Sequence, residues 1–226
     1  MRSVALIGPD GAGKTTLSHM LRQSSATRLK YIYMGVETPK SNITLPTSRL
    51  IERLKRGRRA PAAPADDSAL PARRTIGATA WALARLANRL AEEWFRQVAS
   101  WYYQLRGFTV LYDRHFLFDF APEIAAYAGE SLDKRIHRWC LSTFYPRPDL
   151  TLFLDAPGTL LFDRKRELSV AELERRRQGF LQVGRRTPGF VRVDATRPVE
   201  VVYDEVVGYI NALSSNAYSS RSRGSQ

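Results

Sequence analysis

The residues best equipped for chemistry open the chain. Gly8-Pro9-Asp10-Gly11-Ala12-Gly13-Lys14-Thr15 fits the spacing G-x-x-x-x-G-K-[ST], and Thr16 follows. Glycines at these intervals let main-chain N–H groups turn inward around phosphate oxygens. The helix that follows adds the positive end of its dipole. Lys14 supplies a point charge for the β- and γ-phosphates, and the Thr15 hydroxyl is placed to ligate Mg²⁺, so the ligand expected is ATP·Mg²⁺. A second group, Asp113-Arg114-His115, follows an apolar run. Arg114 is suited to bridge donor and acceptor phosphates. Asp113 is suited to hold Mg²⁺ through water or to accept an acceptor proton. Asp155 also ends an apolar run, but Pro157 follows it and a structural role is expected.

These groups need a scaffold, and the apolar pattern supplies one. Ser3 to Ile7, Lys30 to Met34, Phe108 to Tyr112, Leu150 to Leu154 and Phe190 to Val193 read as strands. Helices are predicted over Thr15 to Gln23, Leu45 to Lys55, Ile76 to Arg106 (one long helix or two), Ala121 to Ala128, Ser131 to Phe144, Gly158 to Arg166 and Val199 to Leu213. Gly107 stops the long one. Its apolar stripe, Leu83, Leu86, Leu90, Trp94, Val98, Trp101 and Leu105, suits either a core or a subunit interface. Strands alternating with helices predict a three-layer α/β P-loop NTPase fold, a five-stranded parallel sheet with helices on both faces. One domain over residues 1–213 is expected. An Ala/Pro-rich insertion at 56–75, a charged lid segment at 164–182 and an unstructured Ser/Arg/Gly-rich tail at 214–226 complete the plan.

Composition narrows the class. With 44% hydrophobic and 25% charged residues the chain is globular rather than disordered. A net charge of +13 fits a polyanionic partner such as nucleotide phosphates. The arginines are dispersed and no aromatic-basic RNA motif accompanies them, which argues against nucleic acid. One cysteine, Cys140, rules out an intrachain disulfide and reads as core filler in an apolar helix, which points to a reducing, cytoplasmic setting. Arg85, Arg89, Glu92 and Glu93 interrupt the one long apolar stretch, so no membrane span is expected.

The Asp10-containing loop and Asp113-Arg114-His115 together resemble the thymidylate kinase family of nucleoside monophosphate kinases. The resemblance continues through 147–157, from Arg147-Pro148-Asp149 to Asp155-Ala156-Pro157, and covers most of residues 1–36 and 76–213. It implies an ATP- and Mg²⁺-dependent kinase, with Arg164 at the base of the lid and Val193-Asp194-Ala195 beside the adenine. It also implies that γ-phosphate charge comes from the loop or from the lid. Gly11 occupies the loop position, so the lid must supply it. Arg164 and Arg166 are favoured over Lys165, Arg175, Arg176 and Arg177. Relatives in this family are often dimers.

The acceptor half departs from the pattern. Asn88 and Glu92 stand where the resemblance expects thymidylate-binding Phe and Arg, and Phe118 and Pro122-Glu123 replace the Ser and Tyr-Gln pair. Arg85, Arg89 and Arg96 lie near the vacated positions as candidate phosphate ligands. The first expectation is a nucleoside monophosphate kinase with dTMP as default acceptor. A kinase acting on a hydroxyl of a sugar, glycan precursor or other small metabolite stands close behind. A P-loop regulatory or nucleic-acid-binding NTPase ranks third.

Overall fold

A computed structural model of the chain describes residues 2–24, 28–35, 42–43, 45, 76–119, 121 and 132–223. Five strands, β1 (Ser3–Ile7), β2 (Leu29–Tyr33), β3 (Thr109–Asp113), β4 (Leu150–Asp155) and β5 (Phe190–Asp194), form one sheet in the order β2-β3-β1-β4-β5. Every pairing is parallel. The helices are α1 (Lys14–Gln23), α2 (Ile76–Leu105), α3 (Phe116–Asp119), α4 (Leu132–Phe144), α5 (Gly158–Arg164), α6 (Val170–Gly184) and α7 (Val199–Arg223).

Parallel strands are buried on both faces, and β1 shows it directly. Val4 and Leu6 enter one core with Leu17 and Leu21 of α1 and Val206 and Ile210 of α7. Ala5 and Ile7 enter the opposite core with Tyr112, Phe116, Leu141 and Phe153. The predicted three-layer α/β architecture is therefore present.

Several boundaries differ from expectation. Strand β3 runs through Asp113, which places that carboxylate inside the strand end. The charged stretch after residue 166 contains helix α6, whose N-cap Ser169 accepts from the Glu172 amide at 3.2 Å. Helix α7 continues to Arg223, where a tail without structure was expected from Ser214. The Ser214 hydroxyl donates to the Ile210 carbonyl at 3.0 Å, holding the turn at which the apolar face ends. The helices predicted over 45–55 and 121–128 and the insertion at 56–75 lie outside the described residues, apart from the isolated positions 45 and 121.

The long helix α2 turns a polar side inward. Glu92, Glu93, Arg96, Gln97, Ser100 and Gln104 are buried, whereas Leu83, Val98 and Leu105 of the apolar stripe are 55%, 54% and 75% exposed. Partners make this possible. Ser100 and the Tyr112 hydroxyl lie 2.6 Å apart, and Gln104 donates to Ser100 at 2.8 Å. His137 Nε2 sits 2.8 Å from both Glu93 oxygens. Within the stripe, Trp94 packs edge-on against Tyr145 at 5.7 Å. On α4, Cys140 is half-buried and its neighbour Trp139 is exposed, so Cys140 is not the core filler expected of it, whereas Leu141 is buried.

Candidate active site

The loop between β1 and α1 forms the floor of a cavity of about 710 Å³ at the carboxyl ends of the parallel strands, where open α/β sheets bind ligands. Residues 10 to 16, Tyr31, Tyr33, Asp113, Arg114, Arg164, Lys165, Ala195 and Arg197 line it. The loop is tight. Gly11 has φ +86°, and a Cβ there would lie 2.5 Å from the Leu161 carbonyl oxygen of α5. No side chain fits at this position, so the chain has no room for an arginine in the loop.

Lys14 is buried against the loop, and its Nζ donates to the carbonyls of Gly8 and Pro9 at 2.7 Å each. Burial, reinforced by the nearby Arg114, pulls its ammonium down to about 8. Its hydrogen-bond partners among the described residues are neutral carbonyls, and the nearby Asp10, Asp113 and Asp119 do not offset burial, so a phosphate's negative charge would favour the ammonium. The residues fit a nucleotide triphosphate.

Asp10 organises the surrounding charge. Its Oδ1 accepts from Arg114 at 3.0 Å and its Oδ2 from Arg176 of α6 at 3.5 Å. Burial works against the carboxylate, but Lys14, Arg114, Lys165 and Arg176 outweigh it and hold the group below its usual range. Arg114 adopts φ +64°, a left-handed conformation uncommon outside glycine, and its amide donates to the Leu6 carbonyl at 3.1 Å. The strained turn directs the guanidinium to the loop instead of to solvent. Gly35 makes room for it: a Cβ there would meet the Tyr33 hydroxyl at 2.4 Å and Arg114 Cδ at 2.9 Å.

Asp113 lines the same cavity, and its Oδ2 accepts from the Tyr31 hydroxyl at 2.8 Å. Burial and the Asp113 charge together push the Tyr31 phenol well above its ordinary value, so it stays a donor. Thr15 lies on this cavity too. Among the described residues no cluster of three or more His, Cys, Asp and Glu is present that would cage a metal by itself. Mg²⁺ held mainly by phosphates and water would fit such a site, with the Thr15 hydroxyl and the Asp113 carboxylate on the cavity as the available protein donors.

The other expected residues divide. Arg164 reaches the cavity and donates to the Ala195 carbonyl at 3.0 Å, which joins α5 to the loop after β5. Arg166 does not line the cavity, and neither does Asp194, whose Oδ1 accepts from the Thr196 amide at 3.0 Å. Arg176, ranked below Arg166 from sequence, is the lid-segment arginine that touches the loop. Arg177 and Arg192 both bind Asp155, each with a contact at 2.5 Å, and this accounts for Asp155 as structural. Arg175 pairs with Glu172.

On the acceptor side, Arg96 is buried, donates to the Gly35 carbonyl at 3.0 Å and pairs with Glu92. Its charge is spent inside the protein. Arg85 and Arg89 are exposed and do not line the cavity. Sequence reasoning missed Tyr31, Tyr33 and Arg197. Alternate tyrosines in β2 and a basic residue shortly after Asp194 were the available signals.

The fold and the glycine-rich loop after β1 define a three-layer α/β P-loop architecture. No protein-family model matches the chain, and no curated protein matches it. Among solved structures the chain is similar to a deoxyadenosine kinase from M. mycoides with products dCMP and a flexible dCDP bound. The two share 13% identity with a TM-score of 0.53 over 93% of this chain and 99% of that one. At this identity the likeness concerns the fold.

Proposed function

We propose that the chain is an ATP- and Mg²⁺-dependent kinase whose small acceptor presents a hydroxyl group. The observation that carries this reading is Asp113, a carboxylate on the cavity wall with Lys14 and Arg114. A hydroxyl must lose its proton during transfer, and Asp113, oriented by Tyr31, is in place to accept it. ATP·Mg²⁺ supplies the transferable γ-phosphoryl group. Lys14 and Arg114 neutralise charge on the transferring oxygens, with Arg164 and Lys165 completing the cationic wall. Thr15 would hold the metal, leaving Asp113 to the acceptor hydroxyl, and Ala195 with Val199 and Val202 would flank the base. The solved structure named above is a deoxyadenosine kinase, which makes a deoxynucleoside the first hydroxyl acceptor to test.

A nucleoside monophosphate acceptor, dTMP by resemblance, is the second reading. Arg114 beside Asp113 favours it, because an acceptor phosphate needs a cation there. The engagement of Arg96 by Gly35 and Glu92 weighs against it. ADP release should be followed with ATP·Mg²⁺ across deoxynucleosides, sugars and nucleoside monophosphates. Turnover on a hydroxyl acceptor that falls by about 100-fold in Asp113→Asn supports the first reading. Turnover on dTMP that survives the same substitution supports the second. ATP binding with no stimulation by any acceptor would point to a regulatory NTPase and remove both.

Two further sequence expectations remain proposals. The exposed part of the α2 apolar stripe, Leu83, Val98 and Leu105, offers a homodimer face, which sedimentation velocity would test. Among the described residues no helix is long and apolar enough to cross a membrane, and a cytoplasmic location would be read by fractionation.

A further inference from the structure

We propose that the face built on α4 docks the protein peripherally on an anionic membrane surface. This inference does not depend on the kinase reading. A second cavity, of about 690 Å³, shares no lining residue with the phosphate cavity. Its floor includes the buried Phe118 and Leu141, and Arg135, Arg138, Arg147 and Arg186 line it. No Asp or Glu accompanies them among the described lining residues. Arg138 and Arg186 hold other partners as well, which leaves Arg135 and Arg147 as the exposed pair relevant to a ligand.

Large apolar side chains stand outward on the same helix. Trp139 is 58% exposed, Phe144 59% and Ile136 43%. The Trp139 and Phe144 rings meet edge-on at 5.4 Å, so they form one patch. An occupant must therefore offer apolar depth and negative charge side by side. A bilayer containing anionic lipid does both: the rings enter the boundary between headgroups and acyl chains, and arginine stems follow while guanidiniums stay with lipid phosphates. The chain's net charge of +13 adds long-range attraction toward such a surface.

The test is co-sedimentation of the full chain with vesicles of phosphatidylcholine alone or with about one third phosphatidylglycerol added. Binding to the anionic vesicles is expected to exceed the neutral ones by roughly 5-fold and to fall as salt rises. Trp139→Ala with Phe144→Ala leaves net charge untouched and should lose about 10-fold in binding. Arg135→Gln with Arg147→Gln should weaken it while circular dichroism stays native. Failure of the wild-type chain to sediment would overturn the proposal. So would an aromatic variant that sediments like wild type, since diffuse charge would then suffice. A dimer that the aromatic variant dissolves, without vesicle binding, would identify a second copy as the occupant and overturn it too. Should the double variant not fold, bromolipid quenching of tryptophan emission decides. Quenching should be largely lost in Trp139→Phe, and unchanged quenching would refute insertion of that ring.

Discussion

Arg114 donates to Asp10 across the gap between the β3 turn and the phosphate loop, at 3.0 Å. The contact joins the group proposed to face the acceptor to the loop proposed to hold the donor. Arg176 completes the arrangement from α6 on the other carboxylate oxygen. One side chain thus sets the positions of two guanidiniums, the kind of positioning that the proposed phosphoryl transfer would ask of a protein.

Asp10→Asn should therefore damage the reaction more than the fold. The amide keeps the shape but releases both arginines from an ion pair. We expect kcat to fall by about 10-fold with unfolding free energy within roughly 1 kcal/mol of wild type, since both pairs are partly exposed. Steady-state kinetics beside denaturant unfolding would check it; unchanged kcat would remove Asp10 from the positioning role.

Lys14 gives a pH signature. Its ammonium titrates near 8 in the free chain, below the ordinary 10.5. A bound phosphate favours the charged form and raises that value, so binding takes up a proton once the pH exceeds 8. ATP affinity should weaken by up to about 10-fold for each pH unit above 8 until the bound-state value is reached. Calorimetric titration in buffers of different ionisation enthalpy would read the proton uptake. Lys14→Ala should lack it and lose about 100-fold or more in turnover.

His115 predicts acid lability. Burial pulls its imidazole from 6.5 down to about 3, and its Nε2 is buried with no hydrogen-bond partner among the described residues. The folded value lies below the unfolded one, so the stability present above pH 6.5 is lost as the pH falls toward 3. The loss approaches about 1.4 kcal/mol per pH unit within that window. His115→Phe should flatten this part of the profile in urea unfolding at pH 7 and 4.

His137 and Glu93 join α4 to α2 in a buried site. His137→Ala would leave the Glu93 carboxylate without that ring, and a loss of about 3 kcal/mol is expected. Thermal unfolding measures it. A change below about 0.5 kcal/mol would mean that water or rearrangement satisfies Glu93.

The sequence by itself determined the phosphate loop, the parallel sheet and the turn carrying Asp113 and Arg114. Each is encoded locally: glycine spacing permits one kind of loop, and unbroken apolar runs permit strands buried on both faces. The buried face of α2 was not legible. Its apolar stripe is the stronger signal, and only the partners Tyr112, His137 and Gly35, all outside the helix, make burial of Ser100, Glu93 and Arg96 possible. The choice of Arg176 over Arg166 was hidden for a related reason. Adjacent arginines on a charged segment look alike in one dimension, and packing of α6 beside the loop decides which one meets Asp10. Tertiary structure likewise withdrew Arg96 from the acceptor side, because a cation's availability depends on what else has already claimed it.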